Sequence, residues 1–530
     1  MAHTYLSSQL QINNPGEIKM KRLLPIVIIL ILGTTNVFAQ YSWDNPREVV
    51  LDKYENPIPF LMDGEMCIAY ELHITNFGLD SLLIKSIKIF ADNDTLAYKI
   101  YSGDHLIKSL SRIKVPTRSK NDTIVRPGQR AILYALLSFP EGKLPQKLYH
   151  RVEYDFLSGN QIKNEVITTG GKISIDQNEK PIIIDSPVQE GIWQISNSVA
   201  DGYVGHRQGA IRPYNGIPYS RQRYAIDFIR LNEKGEAVQG NFHDNLNWFS
   251  YSSDVLAVAD AYVVDIHDND PECPPLMSDD ERLAKITSLG GNYIILDLGN
   301  SMYAEYAHLK PGSLLVKKGD KVRKGQLLAK VGSSGNSTVP HLHFGINRDV
   351  PANGQPIPFV FNTYKYLGPS IADELKVEHS KLGKIQKEML PKVNSIIQLG
   401  ESDSTNKAAS VFLKRQEFLY IMHNKNVNAA AQYFYNLRKM DLNIMLFGEQ
   451  EMNLIGYNYL ENKKYEDAIE IFKLNVIAYP NSGNVYDSLG EAYMKNNNKE
   501  LAIKNYEKSL KLDPTNKNAE EMLKKLRNND

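Results

Sequence analysis

Cysteine is nearly missing from this chain: only Cys67 and Cys273 occur among 530 residues. Cys67 stands in an apolar, strand-like run and Cys273 in a proline-flanked loop. No bridge is expected between them, and neither has the spacing of a thiolate metal site. Net charge is missing as well, since 61 Lys and Arg balance 61 Asp and Glu. That balance argues against a polyanion partner such as nucleic acid. The apolar run Leu23 to Leu32 is too short to span a bilayer comfortably. What remains is the composition of several soluble domains: 42% hydrophobic residues, and a length that suggests roughly three or four domains.

The apolar run has a different use. Met20-Lys21-Arg22 precedes it, and Val37-Phe38-Ala39 follows before Gln40. A charged start, a short apolar stretch and small residues at the cut describe a secretory signal peptide over residues 1–39. Residues 1–19 are polar and unlike a leader, so translation is expected to begin at Met20. The mature protein is therefore expected to be exported, periplasmic or extracellular, with no stable membrane span. No cysteine follows the cut, so no lipid anchor is expected there.

Chemistry concentrates in one stretch. Tyr306-Ala307-His308-Leu309 is followed by Gly335-Asn336-Ser337 and by His341-Leu342-His343-Phe344. Residues two apart on a strand share a face, so His341 and His343 point one way while Leu342 and Phe344 point the other. Two such imidazoles can supply a metal ligand and a neighbouring base. An HxH alone also arises by chance in alternating strands. The surroundings add short strands joined by glycine turns: Val316 to Ala329, Asp254 to Asp260, and Gly290-Gly291-Asn292 to Leu296.

This ordered set resembles the catalytic domain of the lysostaphin/LytM-type zinc metallopeptidases, which cut peptide cross-links in bacterial walls. The resemblance covers roughly residues 189–366, a β-rich domain. It implies Asp227 and His343 as zinc ligands, and His308 and His341 as the non-ligand histidines that orient and deprotonate the attacking water. The implied chemistry is hydrolysis of amide bonds in peptidoglycan peptides, with Zn2+ lowering the pKa of its water and polarising the carbonyl.

The chain departs from the family's first motif, H-x-G-x-D, which should fall at Arg223-Tyr224-Ala225-Ile226-Asp227. Guanidinium stays protonated and offers no lone pair, so Arg223 is no ligand. Either Arg223 turns in, pairs with Asp227 and replaces the metal, or it points away and another histidine completes the site. Four extended residues span about 13 Å, so the first case requires a bend. Alanine at 225 bends less readily than glycine, which favours the second. The candidate replacements are His206, His243 and His267. His206 leads, because it precedes Asp227 in the chain as the missing ligand should. Two functions compete: a zinc endopeptidase, and a catalytically inactive relative that binds wall or activates another hydrolase.

The flanks differ in character. Residues 40–188 alternate apolar and polar in short strands, as in Met66 to Asn76 and Leu83 to Phe90, which predicts an all-β, immunoglobulin-like sandwich. Residues 367–407 are polar and charged and predict a helical linker. Beyond lies a repeat: Gly456 and Gly490, Tyr459 and Tyr493, Ala468 and Ala502, and Pro480 and Pro514 are each 34 residues apart. That is the tetratricopeptide period, so 408–530 is expected to be an α-helical repeat domain offering a surface to a protein partner.

Overall fold

The computed structural model describes residues 49–112, 123–158, 161–202, 205–207, 211–349, 354–370 and 379–528. The expected leader, 1–39, lies outside these residues. Among the described residues no helix is long and apolar enough to cross a membrane. Cys67 and Cys273 are both buried and unbridged.

The N-terminal region holds two β-sheets. In the first, Glu65–Asn76 pairs antiparallel with Arg130–Phe139, from Met66 opposite Phe139 to Thr75 opposite Arg130. In the second, Ser81–Ala91 pairs with Lys147–Ser158, which pairs in turn with Gln161–Ser174. The strand Glu65–Asn76 has no solvent face over most of its length, because successive side chains enter different cores. Tyr70 meets the second sheet, its hydroxyl 2.9 Å from His150 Nε2. Cys67 and Ala69 point the other way, into one apolar cluster with Trp193, Phe228 and Phe344. The first N-terminal sheet and the central region therefore share a core.

The central region is built on a 12-stranded sheet. Four adjacent strands matter for the site: Gly191–Asn197, Ile226–Leu231, Leu342–Arg348 and Met302–Leu309. They lie side by side in that order, antiparallel throughout. Ile226, Phe228, Leu342 and Phe344 are fully buried on the core side. Their alternation turns Asp227 and His343 to the opposite face.

The helical linker expected over 367–407 is corrected by the structure. Phe359–Pro369, Ile385–Met389 and Ser395–Leu399 are strands of this sheet. Ser395–Leu399 pairs with Gly191–Asn197 on one side and Phe359–Pro369 on the other. The charge of the surrounding residues suggested a helix. The β-branched pair Ile396-Ile397 and the punctuating Gly383, Pro391 and Gly400 favour a buried strand between turns. The sheet thus continues to Leu399, well past the boundary expected at 366.

The first helix of the C-terminal region, Asp403–Asn424, starts where the Ser402 side chain accepts from Thr405 N–H. Phe412 and Ala409 seat it on Ile192, Leu231, Leu367 and Ile396 of the sheet. Six further helices follow: Val427–Met440, Glu449–Glu461, Tyr465–Ala478, Gly483–Lys495, Lys499–Leu512 and Lys517–Asn528. The period of 34 has a packing reason. A Cβ on Gly456 would sit 2.5 Å from the Phe472 ring, and one on Gly490 would sit 3.1 Å from the Tyr506 ring. Helices of a pair cross where one lacks a side chain and its partner places an aromatic.

Candidate metal centre

Strand register sets the centre. Asp227 lies opposite His343, and His343 opposite Ala307, so the residue after Ala307 is delivered to the same end of the sheet. His308 has φ of 61°, a left-handed backbone rare for a residue with a side chain. Its N–H donates to Gly290 O at 2.9 Å, and its carbonyl accepts from Gly332 N–H at 3.0 Å. These two bonds hold the twist that turns the imidazole inward. Gly291 and Gly335 are needed beside it: a Cβ on Gly291 would lie 2.4 Å from the Ser334 carbonyl carbon, and one on Gly335 2.3 Å from Gly291 N.

The groups converge on Asp227, which is only 5% exposed. Its Oδ1 lies 2.9 Å from His343 Nδ1 and 3.4 Å from His341 Nε2. Its Oδ2 lies 3.0 Å from His206 Nε2 and accepts from Asn197 Nδ2 at 2.6 Å. The second nitrogens are engaged elsewhere. His206 Nδ1 donates to Ala225 O at 3.0 Å, His308 Nδ1 to Ser334 O at 2.8 Å, and His341 Nδ1 to Val339 O at 2.7 Å. Gln222 Nε2 lies 3.4 Å from His343 Nε2. The ring centroids of His308 and His341 are 4.8 Å apart.

Electrostatics follow from this crowding. Burial works to raise the Asp227 carboxyl, but His206 and His341 beside it hold it well below the usual carboxylate range. Burial, reinforced by His341 and His343, pushes the His308 imidazole well below its ordinary value, so it stays neutral. His341 moves upward despite its burial, because Asp227 stabilises its charged form.

One ligand atom each from His206, Asp227 and His343 lies within 4.8 Å of the others. Tetrahedral zinc with bonds near 2.0–2.1 Å places its ligand atoms roughly 3.3 Å apart. His206 Nε2 lies 3.0 Å from Asp227 Oδ2 and His343 Nδ1 lies 2.9 Å from Asp227 Oδ1, so each imidazole nitrogen stands near that spacing from one oxygen of the carboxylate. Two imidazoles and a carboxylate also suit zinc in kind. The residues fit the ion.

Of the residues singled out by sequence, the structure brings together His206, Asp227, His308, His341 and His343. It does not bring in His243, which is exposed, or His267, which stacks on Tyr293 and lies 3.6 Å from Asp270. Arg223 takes no place against Asp227. It is buried away from the cluster, paired with Glu71 and Glu55. Asn197 and Gln222 were not foreseen, because a single asparagine or glutamine carries no spacing signal.

Residues 242–358 match the family described as Peptidase family M23, and residues 488–516 match the tetratricopeptide repeat. The chain carries an M23-type peptidase domain and a tetratricopeptide repeat. Among curated proteins it is similar to the peptidoglycan DD-endopeptidase ShyA of Vibrio cholerae, 39% identical over 67 residues, 13% of this chain and 14% of that protein. It is also similar to the peptidoglycan DD-endopeptidase ShyB of the same organism, 39% identical over 71 residues, 13% and 16% of the two chains. The chain thus spans about one seventh of the length of these relatives. Among solved structures, the catalytic domain of the antimicrobial peptidase lysostaphin from Staphylococcus simulans shows 21% identity, with 31% of this chain and 82% of that one covered, at a TM-score of 0.17. The M23 match includes His308, His341 and His343 and starts after Asp227, so the His206 and Asp227 half of the cluster lies outside it.

Proposed function

We propose that this protein is an exported zinc metalloendopeptidase that hydrolyses amide bonds in peptidoglycan peptides. The observation that carries the reading is the convergence of His206, Asp227 and His343 beside two further buried imidazoles. The names of the curated relatives, peptidoglycan DD-endopeptidases, support the substrate class.

His206 Nε2, His343 Nδ1 and Asp227 would hold the ion. When bound, zinc supplies Lewis acidity and a water of lowered pKa. The remaining work falls to side chains of the chain. His308 and His341 each donate from Nδ1 to a carbonyl, which fixes the tautomer and leaves Nε2 as the basic atom facing the site. One Nε2 takes the proton of the attacking water. That same proton is then passed on to the leaving amine, the step without which an amide does not part. Gln222 serves the outer nitrogen of His343: its amide, turned about its own axis, accepts from Nε2–H once Nδ1 gives its lone pair to a cation. Asn197 holds Asp227 in position through its Oδ2.

The flanking parts fit around this activity. We read the two N-terminal sheets as an immunoglobulin-like sandwich that positions the peptidase, and the helical region as a surface for a protein partner. The leader pattern supports export.

The full chain tests the reading. Metal analysis is expected to find about one zinc per chain, and digestion of purified muropeptides should yield products split at a peptide amide, a reaction stopped by chelator and restored by zinc. Zinc without cleavage would point to a binding protein, and absence of both would overturn the proposal.

A further inference from the structure

We infer that Glu71, on the N-terminal sheet, is a positioning residue for the metal centre, so that the ligand His206 depends on the N-terminal region for its place. This rests on the metal reading above. Two loops of the central region deliver the unusual half of the cluster. One is the single turn Gly205–Arg207, which carries His206; the other is the turn from Ser220 to Ala225, which leads into Asp227. Each loop carries an arginine, Arg207 and Arg223, and both arginines end on the same carboxylate.

The geometry is explicit. Arg207 Nη2 donates to Glu71 Oε1 at 2.7 Å, and Arg207 Nε to the same oxygen at 3.2 Å. Arg223 Nε donates to Glu71 Oε1 and Oε2 at 3.2 and 3.1 Å, and its Nη2 pairs with Glu71 and with Glu55. Arg207 is tied further to the N-terminal sheet through the Tyr70 carbonyl at 2.9 Å. Glu71, Arg207 and Arg223 are 6%, 1% and 3% exposed, so water offers them no substitute partners.

The consequence runs along the backbone. Arg207 directly follows His206. Arg223 sits two residues before Ala225, whose carbonyl orients the His206 ring. One carboxylate therefore pins the turn that bears the ligand and the turn that aims it. Arg223, standing where the family has a ligand, has become an anchor, and the ligand comes from the other anchored loop. Charge-assisted, bidentate pairs of this kind fix geometry as well as energy.

Full-length variants test the inference. Glu71→Gln keeps the shape and removes the charge. Arg207→Lys keeps the charge balance and loses the fork. Both are expected to weaken zinc affinity, measured by chelator competition, by tenfold or more, in line with outer partners of metal ligands. Both should also distort the visible absorption of the cobalt-substituted protein. Amide exchange at Arg223 and Ala225 should quicken in Glu71→Gln with or without metal. Glu153→Gln, on the second N-terminal sheet and paired with Lys88 and Ser86, should bind zinc as the parent does. If Glu71→Gln fails to fold, Arg207→Lys carries the test. Parent-like affinity, cobalt spectrum and exchange in a folded variant would overturn the positioning role. Faster exchange in a protein whose parent binds no metal would sink the metal reading and leave the anchor standing.

Discussion

Substituting alanine for Gly291 should cost more than any ordinary turn glycine in this chain, and the excess can be isolated. Gly291 has φ of 62°, and a Cβ there would lie 2.4 Å from the Ser334 carbonyl carbon and 2.5 Å from Gly335 N. An L-residue in the left-handed region costs about 1–2 kcal/mol. Backbone atoms that cannot rotate away add an overpacking cost of about 1–3 kcal/mol. Gly312 provides the control, with φ of 70° and nothing within 4 Å of its would-be Cβ. Gly312→Ala should therefore lose only the conformational part. Urea unfolding followed by tryptophan fluorescence suits the measurement, because Trp193 is fully buried in the central core. Gly291→Ala is expected to fall below Gly312→Ala by about 1–3 kcal/mol. It should also lose hydrolysis out of proportion, because Ser334 O and Gly290 O are the two carbonyls that hold His308. Equal losses in the two variants would mean that the loops part freely, and the argument that their contact sets His308 would fail.

Three further outcomes follow from other parts of the molecule. Asp227→Asn should abolish stoichiometric zinc by metal analysis, whereas His308→Ala and His341→Ala should keep the zinc and lose kcat by about 10²–10⁴-fold. The Glu71 carboxyl is held down to about 2 from its ordinary 4.5, against its own burial, by Arg223 and Arg207. A depressed carboxylate stabilises the fold above its unfolded value and gives that up as pH falls. About 3 kcal/mol should therefore disappear between pH 4.5 and about 2, and acid unfolding of Glu71→Gln should lack that slope while neighbouring Glu55 and His73 titrate in both proteins. Gly456→Ala would press a methyl against the Phe472 ring, 2.5 Å away. It should destabilise the helical region by about 1–3 kcal/mol, read by circular dichroism, and leave hydrolysis by the central region unchanged.

How much of this could be read from the chain depended on range. The imidazoles of His341 and His343 are two residues apart, so a strand's alternation was enough to place them together. The period of 34 was legible because the same glycine-on-aromatic contact recurs at Gly456 and Gly490. Motif order points to Asp227, and a place ahead of it in the chain points to His206. The strands between 385 and 399 are hidden in the sequence because their neighbours' charge outweighs a short apolar core, Ser395–Leu399, that only a sheet with two waiting edges makes a strand. The fate of Arg223 was closed to sequence altogether. Its partner Glu71 lies 152 residues earlier, and no local pattern links two such positions.

The strand Glu65–Asn76 imposes an order on biosynthesis. It leaves the ribosome long before the residues that cover its second side, among them Trp193, Phe228 and Phe344. Until those arrive, Cys67 and Ala69 stand bare and Glu71 waits for its guanidinium partners. Loop closure on that scale is slow, and bare strands recruit neighbours. Yield on refolding should thus be limited by this one ribbon, and a fragment starting at residue 189 would present its vacant groove to every other copy in the tube.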